Sequence, residues 1–198
     1  WSPRNADQAL TLLEKIASEG CQMLSDQPEH CIVTSAAHWT ADRNNSFYGA
    51  MGAVALVAVA IGFSTTYFIP VSSGAFSGPL IVHVHGLLFI AWVTMALLQP
   101  ILVRRGKSRL HRKFGLVALP LTLIMAGSGL EVGIYVVSRD LAAGVGEVAY
   151  AQLIGVVSAM ILFVIYVSIA IIARKNPDWH KRMMLMATVT ILWPAWFR

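Results

Sequence analysis

Histidine is the residue type in this sequence whose placement is best suited to chemistry. The chain has six histidines, and four of them stand at the ends of long apolar stretches. His83 and His85 open one stretch, while His111 and His180 open two others. Ionisable side chains are costly within a bilayer, and neutral imidazole is a good ligand for haem iron, copper or zinc. These four histidines are therefore the candidate cofactor ligands.

The sequences around His111 and His180 share one order: an apolar residue, a histidine, two cations and an apolar helix. If both helices cross a membrane in the same direction, the two rings lie at the same depth. Helices close enough together would let the imidazoles clamp one b-type haem, with the adjacent cations neutralising its propionates. Those cations are Arg112, Lys113, Lys181 and Arg182. The alternative is that all these residues only face the membrane interface.

A second group of candidates is predicted at the opposite membrane surface. Helical residues two apart point about 200° apart, so His83 and His85 cannot both bind one ion on a regular helix. His85 shares a heptad face with Trp92 and Gln99, which favours that face for the bundle interior. Glu131 is expected at a similar depth, and two histidines with a carboxylate suit zinc, copper or iron. The alternatives are a packing seam and a Glu131 that is near-interfacial or protonated.

The elements that position these residues are predicted from composition and length. The 198-residue chain is 57% hydrophobic and 13% charged, with a mean hydropathy of +0.65. A bilayer core needs about 20 apolar residues per helix. The fold class is therefore an all-α polytopic transmembrane helix bundle, in residues 47–198, with about five spans. They are predicted at about 47–68, 79–103, 110–137, 148–173 and 181–198.

The distribution of charge predicts the orientation of the bundle. The formal net charge is +5, but the cations gather in the loops before His111 and before the fifth span. Both loops lie on one side by alternation, and the positive-inside rule places them in the cytoplasm together with the N-terminus. No nucleic-acid partner is expected from this pattern, because the cations are accounted for by topology and anionic lipid.

Residues 1–46 are predicted to form a separate, partly helical cytoplasmic segment. Their apolar residues recur at helical spacing, which favours a short amphipathic helix against the membrane face or a partner. Cys21 and Cys31 are the only cysteines, and their spacing matches no zinc or redox motif. In the cytoplasm both are expected to be reduced, and a disulfide is the alternative. The chain stops within the fifth apolar stretch, so we expect more sequence after Arg198.

Small residues predict where helices approach closely. Gly129 and Gly133 are four residues apart on the third predicted span and form a small-xxx-small pair. Pro100 and Pro120 are expected to kink their helices. No phosphate-binding glycine loop, nucleophile elbow or catalytic triad pattern occurs in the sequence, so hydrolase or kinase chemistry is not expected.

Several sequence motifs resemble those of a family of uncharacterised bacterial multi-helix inner-membrane proteins. They are His83-Val84-His85-Gly86, Leu110-His111-Arg112-Lys113-Phe114-Gly115 and the run from His180 to Thr188. The resemblance covers about residue 47 to the end and implies a bacterial inner membrane and further helices past Arg198. His85-Gly86 and His111-Arg112 with Gly115 also resemble, more weakly, transmembrane b-type cytochromes of the ascorbate-reducible and DOMON-linked kind.

Three functions are compatible with these patterns. The first is a haem b or metal-binding membrane protein in electron transfer, or a subunit of a membrane redox complex, which as an enzyme would be an oxidoreductase component. Copper, zinc or iron are the alternative cofactors, and no cofactor is a further alternative. The second function is a non-catalytic accessory or assembly subunit of a larger membrane complex. The third is a small proton-linked transporter or sensor using Glu131 and the outer histidines. Partners are then the lipid bilayer and other membrane subunits.

Overall fold

The computed structural model describes Lys15 and residues 46–196, and in this part of the chain the regular elements are all helices. The helices are α1 (Ser46–Gly62), α2 (Ile69–Ser72), α3 (Leu80–Arg104), α4 (Ser108–Ala142), α5 (Val148–Ile172), α6 (Pro177–Ile191) and α7 (Trp193–Trp196). A π-helical turn occupies Ser64–Phe68, and a 3-10 turn occupies Ala173–Lys175. Apart from Lys15 and Ser46, the predicted N-terminal segment lies outside the described residues, and so do both cysteines and His30 and His38.

Among the helices of the described residues, three are long and apolar enough to cross a membrane: α3, α4 and α5 with its 3-10 turn. They correspond to the predicted spans 79–103, 110–137 and 148–173. The exposed large hydrophobic side chains are spread along them, as expected of helices that face lipid. The described chain is therefore all-helical and has three candidate membrane spans, or four when the bent segment below is included.

The first predicted span, 47–68, is broken rather than continuous. Helix α1 and the segment Ser64–Ser72 are bent by 46° relative to each other. The amide of Phe68 donates to the carbonyl of Phe63, five residues earlier, which is the π-helical spacing. Pro70 follows within the next turn and has no amide hydrogen for Thr66, so the regular ladder cannot continue through this point.

The fifth predicted span is only partly matched. Helix α6 begins at Pro177 instead of residue 181, and its 15 residues correspond to about 22 Å. That length is below the roughly 30 Å of a bilayer core, and α6 is not among the helices that qualify as candidate spans. The helix ends where Leu192 precedes the short α7, which contains Pro194. The break at Leu192 therefore falls inside the predicted span 181–198.

The core of the bundle lies where α3, α5 and α6 meet. Trp92 is 1% exposed, and its ring packs edge to face on Phe163 at a centroid distance of 4.7 Å. The Trp92 indole nitrogen donates to the hydroxyl of Thr188 at 3.2 Å, and that hydroxyl donates to the Met184 carbonyl. Met125 contributes α4 to the same buried cluster. The predicted interior face of α3 is thus confirmed at Trp92.

Helix α1 packs closely on its neighbours through glycine. A Cβ at Gly52 would lie 2.7 Å from the Cα of Leu97 on α3, and a Cβ at Gly62 would overlap the backbone of Ala195. At the start of α1, the Lys181 ammonium lies 5.7 Å from the centroid of the Tyr48 ring. The first residues of α1 and α6 therefore lie at the same end of the bundle. We call this the basic end, because the basic segments 104–113 and 174–182, which include the first turns of α4 and α6, lie there.

Candidate functional site

The basic end brings the two predicted inner histidines together. The ring centroids of His111 and His180 are 6.2 Å apart, and the ring planes are 87° from parallel. His111 lies in the first turn of α4 and His180 in the first turn of α6. Both side chains are partly buried. The sequence expectation that the two rings share one depth therefore corresponds to a direct ring contact.

The orientation of His180 is fixed from two directions. Its Nδ1 lies 2.9 Å from the Ala170 carbonyl of α5, and a carbonyl can only accept, so Nδ1–H is the donor. The neutral ring then carries its lone pair on Nε2. The Asn176 side chain caps α6 by accepting from the amides of Asp178 and Trp179. This cap sets where the helix begins, and hence where the imidazole of His180 is presented.

Two polar atoms toward the basic end are buried without a hydrogen-bond partner in the described part of the chain. They are Nδ1 of His111 and Oε1 of Gln99. Gln99 lies toward the end of α3 and lines, with Phe114, an apolar cavity of about 290 Å³. Buried polar atoms are nearly always satisfied in native proteins. An unsatisfied ring nitrogen beside a second imidazole is consistent with a proton or a ligand that belongs at this place.

The four predicted propionate cations stand beside the histidine pair in sequence but differ in their surroundings. Arg112, Lys113 and Arg182 are exposed. Lys181 is less exposed, and it pairs with the Asp178 carboxylate at 3.4 Å as well as contacting the ring of Tyr48. Three cations are thus accessible to an anionic group at the basic end, while Lys181 already has a carboxylate partner.

At the other end of the bundle, His83 belongs to an aromatic cluster. A hydrogen bond of 2.8 Å joins the Tyr67 hydroxyl and His83 Nδ1. The His83 ring also packs against Phe76, with centroids 5.0 Å apart. Tyr67 comes from the π-helical turn and Phe76 from the loop after α2. We call this the cavity end, for the cavity described below.

His85 contacts a different set of residues from His83, as expected because helical residues two apart point about 200° apart. Its Nδ1 lies 3.0 Å from the hydroxyl oxygen of Ser128 on α4. That hydroxyl uses its single hydrogen to donate to the Met125 carbonyl at 3.1 Å. Nδ1 of His85 must therefore be the donor, and Nε2 keeps its lone pair. Ser128 was not predicted from the sequence as a functional residue.

His85 lines a cavity of about 400 Å³ at this end. Its walls come from α1 and the bent segment Ser64–Ser72 that follows it, from α3, α4 and α5, and from Trp193 of α7. Gly129 leaves space for the His85 ring, because a Cβ there would lie 3.1 Å from Cε1 of His85 and 3.0 Å from the sulfur of Met160. Gly133 plays the same part against Val156 on α5, at 3.1 Å. The small-residue prediction for α4 is confirmed at both positions.

The predicted metal site of His83, His85 and Glu131 is not assembled in this structure. Glu131 is exposed and is not among the residues that line the cavity. Within the described residues, no three histidine, cysteine, aspartate or glutamate side chains come close enough to hold an ion. Glu131 lies two positions from both Gly129 and Gly133, so it points away from the face that packs on α5.

Comparison with known proteins adds no further constraint on the function. No family model, no curated protein and no solved structure matches this chain. The function must therefore be inferred from the two ends of the bundle themselves.

Proposed function

We propose that the protein is a haem b membrane protein that transfers electrons, with its iron held between His111 and His180. The observation that carries the proposal is the ring separation of 6.2 Å. Two imidazoles that bind one metal ion from opposite sides, with metal–nitrogen bonds of about 2.0 Å, have their ring centroids roughly 6 Å apart. Perpendicular rings are compatible with such an arrangement, because each ring can rotate about its own bond to the metal.

The number of ligands favours haem over a bare ion. A zinc or copper ion takes most of its ligands from protein side chains, usually three or four. The described residues offer no group of three histidine, cysteine or carboxylate side chains, but they do offer this pair. A porphyrin supplies four nitrogens itself and needs only two axial ligands from the protein.

The tautomer of His180 supports the same proposal. Its Nδ1–H is held by the Ala170 carbonyl, so Nε2 is the nitrogen that could bind iron. Arg112, Lys113 and Arg182 are exposed at the same end and could hold propionates, whereas Lys181 first has to leave Asp178. A haem bound there would accept and donate one electron, and the chain's residues would set its position and potential.

The proposal includes the placement of the chain. We propose that α6 and α7 together form a fifth membrane-inserted segment, and that the membrane is a bacterial inner membrane. The basic end would then face the cytoplasm, because its two loops carry the excess of arginine and lysine. Haem at this end would exchange electrons with a partner on the cytoplasmic side.

The test is a reduced-minus-oxidised absorption spectrum of the detergent-purified full chain, reconstituted with haem and analysed for iron. We expect a b-type spectrum with one haem per chain, lost in both His111→Ala and His180→Ala. His83→Ala is the matched control, because it removes a histidine at the cavity end and should keep the spectrum. A colourless wild-type protein, or an unchanged spectrum in His111→Ala, contradicts the proposal.

A further inference from the structure

We propose that the cavity at His85 is a binding site for a small neutral aromatic molecule that carries a hydroxyl group. The cavity is at the opposite end of the bundle from the proposed haem, so this inference does not depend on haem binding. Its volume of about 400 Å³ lies within the range of ligand sites and corresponds to roughly a dozen water molecules.

The walls of the cavity select an apolar, aromatic body. Tyr67, Phe76, Phe89 and Trp193 all line it, and each offers a ring face or edge. Aromatic side chains gain from edge-to-face and offset contacts with another ring, beyond the burial of area. A ligand with an aromatic ring would therefore be preferred over an aliphatic one of equal size.

The charges around the cavity select against an ionised ligand. Arg139 is the charged residue that lines it, and its guanidinium donates to the Asp140 carboxylate at 3.0 and 2.8 Å. This pair leaves little net charge to attract an anion or a cation. Burying an unpaired charge among such walls is strongly unfavourable, so the occupant is neutral.

The polar group that orients the ligand is His85. Since the Ser128 hydroxyl donates to Met125, it accepts from Nδ1 of His85 and leaves Nε2 as an acceptor. An acceptor nitrogen pairs with a donor, and a phenol-type hydroxyl is a neutral donor that an aromatic ring can carry with the least added bulk. Gly129 permits this arrangement, because a side chain there would contact both His85 and Met160.

The experiment compares two probes by calorimetry on the detergent-purified full chain. Para-pentylphenol has the hydroxyl donor, and para-pentylanisole replaces its hydrogen with a methyl group. Both probes partition into detergent, so the informative quantity is the ratio of their affinities in wild type divided by the ratio in His85→Phe. This cycle isolates the hydrogen bond from the hydrophobic contribution.

We expect the phenol preference of wild type to exceed that of His85→Phe by roughly threefold to tenfold, the size of one neutral hydrogen bond. Ser128→Ala keeps the ring but removes the group that holds its Nδ1–H, and should lower the phenol preference while anisole still binds. If His85→Phe loses both probes, Ser128→Ala decides: a lowered preference supports the site and an unchanged one contradicts it.

Two other results would overturn the proposal. One is that wild type binds neither probe, and the other is that the affinity ratio is the same in wild type and His85→Phe. His111→Phe is the control at the basic end. It should abolish haem binding while leaving both probe affinities unchanged, so failure of one proposal can be told from failure of the other.

Discussion

The close contact of Gly52 with α3 leads to a prediction with a control on the same helix. Gly52 faces the backbone of α3, where an added Cβ would lie 2.7 Å from Cα and 2.9 Å from the amide nitrogen of Leu97. A Cβ at Gly49 would have nothing within 4 Å. Gly52→Ala and Gly49→Ala therefore make the same chemical change in one helix, three residues apart, with and without an opposing surface.

The expected magnitudes follow from those distances. Alanine in place of glycine within a helix is worth about 0.5–1 kcal/mol in favour of folding, and Gly49→Ala should show this gain. At Gly52 the opposing atoms belong to backbone and cannot rotate away. Carbon atoms prefer separations of about 3.5–4.0 Å, so α1 and α3 must move apart by about an ångström. Overpacking of this kind costs about 1–3 kcal/mol.

The propensity gain is common to both variants, so the free energy of unfolding of Gly52→Ala should lie about 1–3 kcal/mol below that of Gly49→Ala. The measurement is equilibrium unfolding in mixed micelles with increasing SDS, followed by tryptophan fluorescence. If the two variants unfold within about 0.5 kcal/mol of each other, α1 does not pack on α3 as described. The close approach of the fourth candidate span to α3 at Gly52 would then be wrong, while its contact with Ala195 at Gly62 would be untouched by the result.

Two further substitutions test the interior and the basic end. Thr188→Val should lower the unfolding free energy by about 1–3 kcal/mol in the same assay, because the indole N–H of Trp92 is then buried without an acceptor. Equal stability of Thr188→Val and wild type contradicts this role of Thr188. Asn176→Ala should lower the unfolding free energy by about 0.5–2 kcal/mol, because it removes the cap of α6. Thr190→Ala is the control, because its hydroxyl bonds only within its own helix. An effect of Asn176→Ala no larger than that of the control would mean that the cap does not stabilise α6.

The long spans could be predicted from hydropathy because their length depends only on the membrane. Helices α3 and α5 begin and end within about a residue of the predicted bounds, since a charged loop or a glycine turn follows each apolar run. The bend at Phe63 departs from the continuous span predicted at 47–68. Hydropathy does not detect it, because the residues on both sides of the bend are apolar and Pro70 lies a full turn and more after it. The start of α6 could also be predicted from the sequence, since Asn176 is a favoured N-cap residue and Pro177 is favoured at the first helical position.

The features of the candidate sites also divide into those that could be predicted from the sequence and those that could not. The similar depth of His111 and His180 could be predicted, because both histidines stand at the starts of helices that run in the same direction. Their proximity could not, because it depends on which helices pack side by side. The Ser128 contact with His85 could not, because their separation depends on how α3 and α4 pack rather than on either sequence alone. The exposure of Glu131 could also be predicted. Glu131 is two residues from each member of the glycine pair that was assigned to the packing face, so helical geometry already placed it on the opposite face.

The separation of the two ends has a consequence for how they can act. His85 and Gln99 are both on α3 and lie 14 residues apart, which corresponds to about 21 Å along the helix. The interval between them contains the Trp92 contacts with Phe163 and Thr188, a fully buried layer in which helices α3, α5 and α6 meet. Substitutions separated by more than about 10 Å without shared partners usually have additive effects. His85→Phe and His111→Ala should therefore act independently on probe and haem binding, and coupling between them would require the Trp92 layer to have two arrangements.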